Sequence, residues 1–261
     1  MSDSPILDHT TQESSVFLPE NLLSRAAVMQ GKEWGPIPRC CVLDFDGELV
    51  PVAAAQFGAR PSARWPCFHT TLQVIERNGF EMGLIAGTVG APFAVLVAEQ
   101  LIASDCRHII GYSSAGAVAD SLQLPCLVVP DGALRDEGTS YHYLLPSRWV
   151  HTREQLPAIL ARHATQCGLP VRRGLTWTTD APYRETQSQI KHHRAEGVLT
   201  VEMEAAALMA LAEARGAEIA SLLHVTNSFA TQGNDFEKGK ADINQQIIEC
   251  CLASFGEALA G

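Results

Sequence analysis

The sequence predicts one α/β domain, built in three layers around a mixed, largely parallel central sheet. Apolar runs of strand length alternate along the chain with segments whose apolar residues recur at helical spacing. Several of those strand runs end in glycine or small polar residues, where a sheet of this kind places its ligands. No internal repeat, low-complexity stretch or linker interrupts the 261 residues. A single domain over 1–261 is therefore expected, with 1–38 as an N-terminal helical extension.

The elements follow in order. "PENLLSRAAVMQ" reads as a helix that Pro19 starts and the Gly/Pro-rich "GKEWGPIP" ends. "RCCVLDF" is a strand, with Asp46-Gly47 as a turn into "ELVPVAAAQF". "MGLIAGTVG" is a buried strand ending in glycines, and "APFAVLVAEQLIAS" the helix after it. "RHIIGYSSAGAV" and "CLVVPDGALRDEGTSYHYLL" each open as strands, the second running into a polar loop. "REQLPAILARHATQC" is an amphipathic helix, and "RGLTWTTDAPYRET" a strand plus loop. "TVEMEAAALMALAEARG" carries the strongest helical pattern and is closed by Gly216. "AEIASLLHVTNSF" is the last strand, and "ADINQQIIECCLASFGEAL" a C-terminal helix.

Composition excludes several classes of partner. The formal net charge is −10 and no basic run exceeds two residues, so phosphate-neutralising contact with nucleic acid is not expected. No apolar stretch reaches a membrane span, and "MSDSPILDHTTQESSVF" is too polar and acidic for a signal peptide, so a cytoplasmic protein is expected. The eight cysteines form no CxxC pair and read as reduced core thiols. His192-His193 reads as a solvated helix end, so no metal site and no cofactor are expected.

Two acidic motifs compete for the chemistry. In "CVLDFDGELV", Asp44 and Asp46 follow an apolar strand and resemble the start of haloacid-dehalogenase-type phosphohydrolases, which implies an aspartyl nucleophile beside Mg²⁺. That chemistry also needs a lysine and a late acidic pair on a strand end. Lys32, Lys191, Lys238 and Lys240 are badly placed for it, and the late strand ends in Thr226 and Asn227. In "VEMEAAAL", Glu202 and Glu204 flank Met203 at the start of a helix. The helix dipole favours carboxylates there whatever their role.

"GTVGAPFAVLVAEQLI", "IIGYSSAGAV", "VEMEAAAL" and "HVTNSF", in that order, resemble the nucleoside phosphorylase family of purine nucleoside and uridine phosphorylases and related nucleosidases. "RDEGTSYHYL" and "TTDAPYRET" look closer to its uridine-phosphorylase-like branch. The resemblance runs from about residue 80 to the C-terminus. It implies a phosphorylase/hydrolase-like fold and cleavage of a purine or pyrimidine nucleoside by a pentosyl transfer. Inorganic phosphate is the implied co-substrate, and a homo-oligomer with shared active sites the implied assembly.

The resemblance also implies roles. Glu204 grips the ribose hydroxyls, Met203 packs on the sugar, and Glu202 sits toward the base. Ser114 binds phosphate with backbone N–H groups, and Gly90 of "GTVGAP" and Arg64 are further candidates for that anion. Pro182 and Tyr183 stack on the base, while Arg184 and Glu185 read its edge or pair with each other. Asn227 stands where many purine-specific members carry an aspartate; an amide hydrogen-bonds a base but cannot protonate it. His9 reaches a neighbouring subunit's ribose, or is a surface residue. His142 is a packed loop residue or a catalytic one.

One departure bears on the second substrate. The family's early GDP loop with its arginine is replaced here by "VLDFDGEL", and the position of its second arginine is Gly111. Carboxylates stand where cations are expected, and arginine is hard to replace in bidentate anion binding. Arg60, Arg64 or Arg135 would have to substitute. Otherwise water replaces phosphate in a nucleoside hydrolase, or the chain binds a nucleoside without turnover.

Overall fold

The computed structural model of the protein describes residues 4–228, apart from 9, 12 and 78, and residues 242–260. Helix α1 (Pro19–Gln30) begins with proline at a position whose N–H would be unsatisfied anyway, and it ends at Gly31 in the left-handed conformation. Its Leu23, Ala26 and Ala27, at i, i+3 and i+4, form the buried stripe. Strand β1 (Cys40–Asp44) is buried throughout and leads through the Asp-Phe-Asp-Gly turn into α2 (Leu49–Phe57).

A short β2 (Arg60–Pro61) precedes a hairpin of β3 (Gln73–Arg77) and β4 (Phe80–Ala86), in which Arg77 pairs with Phe80. The Asn78-Gly79 pair between these strands is a strong two-residue hairpin signal. The chain continues with α3 (Ala91–Ala103), β5 (His108–Ala117), β6 (Cys126–Asp136), β7 (Trp149–His151) and α4 (Gln155–Ala164). It closes with β8 (Val171–Thr179), α5 (Gln187–Ala195), β9 (Val198–Glu202), α6 (Ala205–Arg215), β10 (Glu218–Ser228) and α7 (Asp242–Ala260).

The sheet is mixed. A parallel block runs β4-β1-β5-β10, and a second runs β6-β8-β9. Antiparallel ladders join the blocks, β10 to β6 and β5 to β9. Because β5 meets both β10 and β9, the strands β5-β10-β6-β8-β9 close into a ring, and β1-β4-β3-β2 extends from it as an open sheet. Strand alternation does not forecast that closure, because each strand sees only its own two faces.

Helices cover the parallel sheet from both sides, and the parity of each strand shows it. Cys40, Val42, Ile110, Tyr112, Ala220 and Leu222 face the cluster completed by α2, α4 and α7. Their neighbours Cys41, Leu43, Ile109 and Ile219 face α3 and α6 instead. All eight cysteines are buried and unbridged. Among the described residues, no helix is long and apolar enough to cross a membrane.

Candidate active site

The carboxyl ends of β1, β5, β8 and β9 and the N-termini of α3 and α6 meet at one edge of the sheet. The Glu-Met-Glu stretch fixes its centre. Glu202, at the end of β9, is 6 % exposed. One of its oxygens accepts from Glu204 N–H at 2.7 Å and Ala205 N–H at 2.6 Å, and the other from the Thr178 hydroxyl at 2.5 Å. Thr178 Oγ1 accepts in turn from Ala206 N–H at 2.9 Å. Together these groups satisfy the first N–H groups of α6, which a helix cannot satisfy itself. Burial pushes the Glu202 carboxyl up while these donors hold it down. Expected toward the base, Glu202 is committed through both oxygens to holding the helix start. Nothing in the sequence pattern distinguishes Thr178, the hydroxyl that completes this arrangement.

Glu204 is 2 % exposed. Its Oε1 accepts from Gly90 N–H at 2.5 Å and its Oε2 from Met203 N–H at 3.3 Å. Gly90 has φ 89°, a conformation that side chains rarely adopt, and so can turn its N–H toward Glu204. The sequence expectation put Gly90 at phosphate; in the structure its N–H donates to Glu204. Burial, then the Glu202 charge, raises the Glu204 carboxyl to about 8, and the Asp46 charge adds to the push. Met203 is half-buried beside it.

The Asp-Phe-Asp-Gly turn lies at the same edge. Asp44 is fully buried and accepts from Gly47 and Glu48 N–H at 3.1 and 3.2 Å through Oδ1, and from Leu49 N–H at 2.8 Å through Oδ2. It holds the turn and the start of α2, with both oxygens engaged, and burial raises it to about 6. That commitment removes the aspartyl nucleophile expected of the phosphatase reading. Phe45 packs behind the turn: a Cβ on Gly111 would lie 2.9 Å from its ring and 3.4 Å from Leu208. Asp46 is half-buried, and its Oδ2 accepts from Ser114 N–H at 2.7 Å.

The other expected residues fall into two groups. Ser114 and Asn227 stand at the ends of adjacent strands, β5 and β10, where Asn227 pairs with Gly116 after a bulge. Asn227 is half-buried and donates to Thr226 Oγ1 at 3.1 Å. In contrast, Pro182–Arg184 form a short turn beyond β8 in which Tyr183 is 99 % exposed, so it stacks on nothing among the described residues. Arg184 is exposed, and among the described residues it makes no ion pair with Glu185, whose half-buried carboxyl is raised by burial to about 7.

None of the candidate arginines is joined to Ser114 among the described contacts. Arg64 is exposed on the loop after β2, and Arg60 pairs with Glu76 at 3.8 Å on the surface. Arg135 is buried, bound to Ser140, Ser147 and the Leu145 carbonyl at 2.8 Å, and stacked on Tyr141. His142 lines a separate cavity of about 450 Å³ with Ile6, Pro92 and Asp180. His9 lies outside the described residues.

His192, His193 and Glu196 bring potential metal ligands within 4.8 Å of one another. The Arg148 guanidinium already lies there, 2.7 Å from Glu196 and 3.3 Å from His192. A cavity of about 1310 Å³ opens between the N-terminal segment, α3 and the 142–151 loop, away from Glu204 and Ser114.

A family model described as the phosphorylase superfamily matches residues 38–255. The chain is 24 % identical over 243 residues to a uridine phosphorylase from Thermococcus kodakarensis, covering 85 % of each chain. It is 24 % identical over 180 residues to a guanosine phosphorylase from Halorubrum lacusprofundi, 66 % of this chain and 70 % of that one. It is 30 % identical over 181 residues to a DeoD-type purine nucleoside phosphorylase from Myxococcus xanthus, 67 % of this chain and 74 % of that one.

Proposed function

The chain belongs to the phosphorylase superfamily, and from that premise we propose that it cleaves the N-glycosidic bond of a purine or pyrimidine nucleoside. The observation that carries this reading is Glu204, buried where α6 begins and held by the Gly90 N–H at the ligand edge of the sheet. As the bond from C1′ to the base nitrogen breaks, its electron pair leaves with the base and positive charge grows on the sugar. In its ionised form, which predominates only as the pH rises through about 8, Glu204 accepts hydrogen bonds from the ribose hydroxyls and stabilises that charge most where water is excluded. Met203 supplies the apolar wall under the sugar, and Asn227 a hydrogen-bonding partner for the base without acting as an acid. The second substrate enters beside Ser114.

The test is release of free base from a panel of purine and pyrimidine nucleosides, followed by chromatography. Wild-type protein is expected to turn over at least one of them. Glu204→Gln is expected to lower kcat by about 10²-fold or more, the order seen when one charge-stabilising group is removed from a transition state. Turnover of no nucleoside, or unchanged kcat in the variant, would remove the reading.

The homo-oligomer belongs to the same proposal. Phe17, Val28 and Met29 are exposed around α1 and Tyr183 beside the site, and a second copy is the natural cover for them.

A further inference from the structure

We propose that Asp46 selects the second substrate: its carboxylate takes the anion seat at the Ser114 N–H, so the acceptor is water, oriented and deprotonated by Asp46. The inference rests on the glycosidic-cleavage reading above and concerns the half of the reaction which that reading leaves open.

Three observations converge on it. A backbone N–H turned into a site at a strand end can hold an oxyanion, and here Asp46 Oδ2 already holds it at 2.7 Å. A phosphate oxygen would have to displace a carboxylate fixed to the same chain. The space for a cation is also closed. At Gly111 even a Cβ would meet the Phe45 ring at 2.9 Å, so an arginine there has no room. Phe45 and Asp46 are neighbours in one turn, so the same turn fills the cation's space and occupies the anion's seat.

The surrounding charge has the wrong sign for phosphate as well. Asp46 and Glu202 both act on Glu204 as like charges, so the groups gathered at this edge are acidic. A doubly charged anion entering there meets acidic groups and none of the candidate arginines among the described contacts at Ser114, whereas water is neutral.

The geometry leaves Asp46 equipped for the alternative. Oδ2 is fixed by Ser114, which orients the group, and Oδ1 makes no hydrogen bond among the described residues. A water that donates to Oδ1 is held at the ligand edge of the sheet, beside Ser114. Its oxygen forms the new bond to C1′ as the C1′–N bond breaks and that electron pair leaves with the base. The water's proton passes to Asp46, and one proton reaches the base nitrogen from solvent. The products are free base and free sugar, and Asp46 is restored when it releases its proton.

The experiment uses the full chain and a nucleoside that it turns over, in phosphate-free buffer and with added inorganic phosphate, in water enriched in ¹⁸O. The expected result is an equal rate in both buffers and a free sugar carrying ¹⁸O at C1. Formation of sugar 1-phosphate, or base release only when phosphate is present, would overturn the proposal while leaving glycosidic cleavage intact. No base release under either condition would sink both. Asp46→Asn keeps an oxygen for the Ser114 N–H and is expected to lower kcat by about 10²-fold or more, the usual worth of a general base, with KM little changed. A rate within about twofold of wild type in that variant would also overturn the role of Asp46.

Discussion

Glu204 and Glu202 are neighbours in sequence with different tasks, and their hydrogen bonds separate them. Glu202 has four donors and secures a helix start; Glu204 has two backbone donors and is left facing the ligand edge. The strain of holding Glu204 has a pH signature. Its carboxyl is raised from an ordinary 4.5 to about 8, so between those values the folded chain retains a proton that the unfolded chain has lost. Stability from this group is therefore complete below about pH 4.5 and lost as the pH rises through 8. Asp44, raised from 3.8 to about 6, acts in the same sense over a lower window. Melting temperatures of wild type and Glu204→Gln, measured from pH 5 to 9, are expected to converge or cross in favour of the variant as the pH rises. Parallel curves would contradict the buried, raised carboxyl.

At the scale of the element, the turn between β1 and α2 is a structural joint and a site wall at once. Asp44 caps α2 by accepting three consecutive backbone N–H groups. Asp44→Ala is expected to cost about 0.5–2 kcal/mol in urea denaturation, the range for losing a side chain that accepts from a helix start. Asp44→Ala is expected to retain glycosidic turnover, which a nucleophilic Asp44 would not allow. The two acids in "DFDG" were legible as unusual, but their division of labour was not: sequence spacing does not reveal that Asp44 points at its own backbone and Asp46 at Ser114. The edge where Ser114, Asn227 and Glu204 gather was legible, the first two from strands ending in small polar residues and Glu204 from a helix start; β9 was not, because the sequence runs "TVE" into the helical pattern that follows it. Tyr183 was not, since loop motifs carry no information on whether a side chain turns inward or outward. The β3–β4 hairpin was not legible in the same way: β3, with one of its five residues buried, lacks the apolar run that marks its neighbours.

At the scale of the molecule, alternating strands and helices were sufficient to place the layers, because each strand's two faces carry their own apolar residues. The exposed apolar residues on α1 and the turn at Tyr183 lead to a further expectation. Light scattering coupled to size exclusion should give the mass of at least two chains, and the mass of one would remove the oligomer. How any second copy docks is constrained by the closure of β5-β10-β6-β8-β9. Among the described residues the edge left on that side is β7, three residues that pair with β6 alone. The open end finishes in β2, two exposed residues of which one is Pro61, which has no N–H to offer an incoming strand. Edges as short as β2 and β7 offer little template for strand addition, the first step toward fibrils. Self-association is then left to helix and loop side chains, whose identity can be chosen residue by residue.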